Sequence, residues 1–123
     1  IAMGRYRGMN TSRLKQFLHH KNINDQRIVE TIKHMDQDLG ANVLSAQMKA
    51  TSARNELTQQ LAKQAFPINI VAGESDSIAG VDKLREMQQH IPGSELTIIN
   101  DAGHMLPLEQ PLKLAQYLQQ KLA

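Results

Sequence analysis

Apolar positions recur at helical spacing through the first half of the chain and in short unbroken runs through the second. Ile28, Ile32, Met35 and Leu39 stand three or four residues apart and stop before Gly40, which predicts one face of an α-helix closed by a residue that ends helices well. Asn24 or Asp25 is placed to cap it, and Thr11 or Ser12 to cap a shorter helix through His20. Val43, Leu44, Met48, Leu57, Leu61 and Ala65 carry the pattern into one or two further helices, with a break near Thr51-Ser52. Pro67 closes this half, because it biases Phe66 toward extended geometry.

After Pro67 the period changes. Ile68-Asn69-Ile70-Val71-Ala72 is a short apolar run that stops at Gly73-Glu74-Ser75-Asp76. Val81, Leu84, Met87 and Ile91 then repeat at helical spacing, and Pro92-Gly93 turns the chain into a second run, Leu96-Thr97-Ile98-Ile99. A last helix takes Pro111 in its first turn, with Leu112, Leu114, Ala115, Leu118 and Leu122 expected to face inward. The expected fold class is therefore α/β, with a helical region over residues 1–65 followed by a β-α-β-α unit over residues 66–123. A crossover of this length predicts parallel strands in a right-handed unit.

Strands apolar along most of their length belong inside a parallel sheet covered on both faces, and two strands alone are marginal in water. The chain is expected to need partners for its sheet, either the amino-terminal part of a larger domain or a second copy of itself.

Composition narrows the chemistry. At 123 residues the chain is one domain or less, and with no Trp, two Phe and two Tyr its core must be aliphatic and Met-rich. The lack of Cys excludes disulfides, thiolate metal sites and cysteine nucleophiles. No apolar run approaches the length of a membrane span and no signal-peptide pattern opens the chain, so a soluble, cytoplasmic protein is expected. The net charge is only +2, but Arg5, Arg7, Arg13, Lys15 and Lys21 all precede the first acidic residue, Asp25. Without interleaved aromatics this arm reads as a solvated face, and nucleic-acid binding is not expected.

The candidate chemistry lies where the two strands end. If the strands are parallel neighbours, the acidic groups of Gly73-Glu74-Ser75-Asp76 and the histidine of Asn100-Asp101-Ala102-Gly103-His104 emerge at the same edge of the sheet. A carboxylate beside an imidazole is the means by which a weakly acidic hydroxyl is made nucleophilic. Plainer roles stand next to this one: Asp76 as a cap for the helix beginning near Ile78 or Gly80, and His104 as a turn residue. Asp101 is a rival acid, although three residues before His104 it reads as a turn former. His19, His20, His34 and His90 lie at no metal-ligand spacing and read as solvent-facing, and neither metal nor cofactor is expected. Met105, beside His104, is the methionine placed to line a substrate pocket.

The succession Pro67-Ile68-Asn69-Ile70-Val71-Ala72-Gly73-Glu74-Ser75-Asp76, Ile91-Pro92-Gly93-Ser94, Ala102-Gly103-His104 and Glu109-Gln110-Pro111 resembles the carboxyl-terminal end of an α/β-hydrolase. The order of these motifs and the 28-residue separation of Asp76 and His104 carry the resemblance. It implies a partial α/β-hydrolase fold, with the triad acid at Asp76, the general base at His104 and a helical cap over residues 1–65. It further implies a serine hydrolase acting on a carboxylic ester, thioester or similar small acyl substrate.

The departure from the family pattern concerns the nucleophile. Gly-x-Ser-x-Gly occurs nowhere in the chain, and Ser12, Ser45, Ser52, Ser75, Ser77 and Ser94 lack flanking glycines at that spacing. No oxyanion-hole segment is identifiable. The chain alone is expected to be inactive, contributing acid and histidine to a nucleophile that lies outside it. The alternative is a non-catalytic, self-associating helical and α/β module.

Overall fold

In a computed structural model the chain is described for residues 8–53 and 56–123. Arg5 and Arg7 of the basic arm lie outside the described residues. Two short strands, β1 (Asn69–Gly73) and β2 (Glu95–Ile99), form a parallel pair. Helices α1 (Thr11–Phe17), α2 (Gln26–Ala53) and α3 (Thr58–Ala62) precede the strands, and α4 (Val81–His90) joins them. A four-residue helix, α5 (Leu106–Glu109), and α6 (Pro111–Leu122) follow β2. No helix among the described residues is long and apolar enough to cross a membrane.

The strand register aligns Asn69 with Glu95 and Gly73 with Ile99, so both chains leave the sheet at the same end. The connection through α4, which packs on both strands, gives the parallel sense that the spacing of apolar runs predicts. Beyond the ladder the two exit loops keep hydrogen-bonding. The Glu74 amide donates to the Ile99 carbonyl (3.0 Å) and the Ser75 amide to the Ala102 carbonyl (3.0 Å).

Helix limits follow from local chemistry. Asn10, rather than Thr11 or Ser12, caps α1, its side-chain oxygen accepting from the Arg13 amide at 2.9 Å. That helix stops at Phe17 instead of reaching His20, and a 3-10 turn over His20–Asn22 takes the chain on. Asp25 caps α2, accepting from the amides of Arg27 (3.1 Å) and Ile28 (3.4 Å). At Gly40 the backbone adopts φ 74°, ψ 178°, which kinks α2 where the apolar period breaks. Helix continues through Thr51-Ser52 only as far as Ala53 and resumes as α3 at Thr58, so the break expected near Thr51-Ser52 falls just beyond those residues.

Burial is less even than the apolar period suggests. Leu14, Leu18, Ile28, Val29 and Ile32 form one buried cluster, with Met9, Phe17, Ile23, Met105 and Leu108 against it. Ile99, Ala102 and Leu106 form another, with Val71 and Leu114. Met35 and Leu39, expected on the same face as Ile32, are about half exposed, as are several apolar residues beyond the kink. On α6 the inward positions are Leu114 and Tyr117, whereas Leu112, Leu118 and Leu122 are exposed. Leu114 packs against Ile99, Ala102 and Leu106, so α6 is covered on one side by the end of β2 and the segment that follows it. The apolar arc of Leu112, Ala115, Leu118 and Leu122 is turned away from that side.

Candidate active site

The turn after β1 holds Asp76 by its own backbone. The Asp76 amide donates to the Gly73 carbonyl (3.2 Å), and its Oδ1 accepts from the amides of Ile78 (2.9 Å) and Ala79 (2.8 Å). The carboxylate therefore does cap the following turn, with one oxygen. Its other oxygen, Oδ2, lies 3.0 Å from Nδ1 of His104. The two strand ends thus bring together the two residues singled out from the sequence, and local capping and the long-range contact coexist on one side chain.

His104 is set by equally specific contacts. Its amide donates to the Phe17 carbonyl at 2.8 Å, and the ring lies 5.8 Å from the Phe17 ring, centroid to centroid. Gly103, immediately before it, approaches residues 17–19 so closely that a Cβ there would sit 2.8 Å from the Phe17 carbonyl oxygen. Gly73 is tighter still, a Cβ falling 2.2 Å from the Gly103 carbonyl oxygen. These glycines let the two loops and the end of α1 share one small volume.

The tautomer follows from the partner. An ionised carboxylate only accepts, so in neutral His104 the proton sits on Nδ1 and Nε2 carries a lone pair. Among the described residues that Nε2 has no hydrogen-bond partner, and the side chain is 36% exposed against 9% for Asp76. A buried acid behind a ring whose far nitrogen is open is the polarity that general-base chemistry requires.

His19 shows the opposite arrangement and corrects an expectation. Read as solvent-facing, it is 4% exposed, because Leu18 beside it belongs to the core and Glu109 holds its amide. Its Nδ1 accepts from the Lys21 amide (3.1 Å), which leaves Nε2–H to donate to Glu74 (3.1 Å). His20, His34 and His90 are exposed, as expected. His19, Glu74 and Asp101 bring potential ligand atoms within 4.8 Å of one another, yet Nε2 of His19 is the protonated nitrogen and Asp101 already faces lysines.

Asp101, the rival acid, serves a turn. It adopts φ 58° and its carboxylate binds Nζ of Lys21 at 2.9 Å, with Nζ of Lys113 at 3.9 Å. The hydrogen bond from Lys21 holds the Asp101 carboxyl below its ordinary range, and the same bond raises the Lys21 ammonium.

The serines near the dyad are engaged elsewhere. Ser75 Oγ donates to the Ala102 carbonyl (3.2 Å) and Ser77 Oγ to the Gln16 carbonyl (2.9 Å). A groove of about 840 Å³ lies between α3 and α4, lined by residues such as Ala79, Lys83, Met87 and His90, and neither Asp76 nor His104 lines it. Met105 is half-buried against the α1–α2 cluster. The residue that sequence reading passed over is Glu109: it stood in a motif, but nothing in its spacing marked it as a buried acceptor for residues far away in the chain.

The fold, as distinct from the site, recurs in solved proteins. A thermophilic esterase from Thermogutta terrifontis superposes with a TM-score of 0.74 at 23% identity, over 90% of this chain and 41% of the esterase. An N-acyl homoserine lactone degrading enzyme gives 0.71 at 23% identity, over 89% of this chain and 45% of that one. In sequence, 64 residues are 34% identical to a 3-oxoadipate enol-lactonase of Acinetobacter baylyi, covering 52% of this chain and 24% of the lactonase. No family model matches the chain. The chain has the fold of the carboxyl-terminal part of an α/β-hydrolase. It spans less than half the length of the proteins it resembles.

Proposed function

We propose that this chain supplies the acid, Asp76, and the general base, His104, of a serine-hydrolase triad acting on a carboxylic ester or similar acyl substrate. The observation that carries the reading is the 3.0 Å contact of Asp76 Oδ2 with His104 Nδ1, with the opposite ring nitrogen open. In this reading Nε2 takes the proton of a serine hydroxyl as its oxygen bonds to the acyl carbon. It then returns the proton to the departing alkoxide, and activates water in the same way to free the acid. Asp76 keeps the ring in the needed tautomer and stabilises the imidazolium. The serine and the oxyanion hole come from a segment outside this chain, and residues 1–65 form the cap over the core part, 66–123. The enzymes resembling it are an esterase, a lactone-degrading enzyme and an enol-lactonase, which favours an ester as the scissile bond.

The test is turnover of a chromogenic acyl ester. The chain joined to a segment bearing Gly-x-Ser-x-Gly should hydrolyse it, and His104→Ala should lower kcat by roughly 10⁶-fold. Turnover indifferent to His104 would remove its role. Turnover by the 123-residue chain alone, lost with His104→Ala, would overturn the placing of the nucleophile outside it.

A further inference from the structure

Glu109 is a buried carboxylate that neither the acid nor the base role uses, 6% exposed at the end of α5. Its two oxygens accept four N–H donors from two distant parts of the chain. Oε2 takes the amides of Gly103 (2.9 Å) and Met105 (3.1 Å), which lie on either side of His104. Oε1 takes the amide of His19 (2.7 Å) and the side-chain amide of Asn22 (3.1 Å). Among the described residues Glu109 forms no ion pair, so these N–H dipoles are what face its charge. An ionised carboxylate has about four acceptor sites and no donor, and here all are matched. A glutamine of the same shape would accept on one oxygen only and turn its NH2 against two further N–H groups.

We propose that Glu109 is the positioning residue for His104. By gripping the amides before and after that residue it holds the loop at the height where Nδ1 reaches Asp76. Through its other oxygen it ties the same loop to residues 19–22. Glu109 takes part in no proton transfer. The functional meaning rests on the triad reading above, whereas the geometric claim does not.

The test uses the full chain, isotopically labelled, and the far-downfield proton resonance that an Nδ1–H bonded to a carboxylate gives, assigned by its disappearance in His104→Ala. In Glu109→Gln this resonance should vanish or broaden, and the Gly103 and Met105 amides should exchange at least about tenfold faster. The amides of β1 and β2 should meanwhile stay protected. Asn22→Ala, which removes one donor to the oxygen facing away from His104, should leave the resonance in place. An unchanged resonance and slow Gly103 and Met105 amides in Glu109→Gln would overturn the proposal. If Glu109→Gln does not fold, the unaltered chain decides: Gly103 and Met105 amides exchanging as fast as those of an exposed loop would overturn it equally. Ester turnover that ignores His104, with the resonance behaving as expected, would sink the triad reading and leave the role of Glu109 standing.

Discussion

Two glycines set how closely the loops around the dyad can approach. Because the Cβ of an alanine at position 73 would meet the backbone oxygen of Gly103 at 2.2 Å, no side-chain rotation can relieve the clash. Gly73→Ala should cost about 3 kcal/mol, measured by denaturant unfolding, and should separate Asp76 from His104. A change below about 1 kcal/mol would mean that the loops have room to spare. At the same scale the Lys21–Asp101 pair makes a pH argument. Asp101 is lowered from its ordinary value of 3.8, so its contribution is present above that value and lost as pH falls through the lowered one. Lys21 is raised from 10.5, so its contribution is present below that value and lost only as pH rises beyond it. Both groups are solvent-exposed, so the effect is small and screened by salt. Asp101→Asn should therefore lower the melting temperature slightly at neutral pH in low salt, and not at all in high salt or in strong acid. An equal loss under all three conditions would show that the side chain matters through its turn geometry instead.

Among the elements, α6 is informative because half of its apolar surface is used. Its buried face presents Leu114 and Tyr117, while Leu112 and Leu122 are 78% and 82% exposed. The Tyr117 hydroxyl is buried with no hydrogen-bond partner among the described residues. Tyr117→Phe removes an unsatisfied polar group, so the melting temperature should hold or rise, by up to about 1 kcal/mol of stability; a clear fall would reveal an acceptor. The existence and type of the two strands and the longer helices were legible in the sequence, since the apolar period changes from helical spacing to short runs at Pro67, whereas the 3-10 turn at His20–Asn22 and the short α5 were not. Their limits moved by a few residues where side chains competed for caps, as at Asn10. The inward face of α6 was misread because a helical stripe of leucines says that something will cover it. It does not say that the cover lies in the same chain.

Over the molecule as a whole, the two-stranded sheet, the outer face of α6 and the half-exposed residues of α2 leave apolar surface that a larger fold would bury. The 123-residue chain should accordingly self-associate at high concentration, and light scattering is the check. Replacing Leu118 and Leu122 with Gln should shift it toward monomer; a monomer at all concentrations before any change would show the sheet edges to be protected. The candidate site divides the same way. Asp76 and His104 could be paired from sequence because parallel strands of equal register must end at one edge, and the motif order of the family resemblance picks these two from the acidic and histidine residues that follow the strands. Glu109 could not, because its donors include a backbone amide 90 residues away, and a backbone amide leaves no mark on sequence.

By itself the sequence determined where the strands and longer helices lie and that the strands run parallel, because periodicity and strand order are local properties that project directly into space, while its resemblance to the end of an α/β-hydrolase singled out Asp76 and His104 at the shared sheet edge. The tertiary structure alone decided that Asp76 divides its oxygens between a turn and His104. It also decided that His19 is buried in the opposite tautomer, and that a carboxylate at position 109 fastens the histidine loop to residues 19–22. Those outcomes depend on how closely distant backbones approach, which is settled by packing and not by any pattern along the chain.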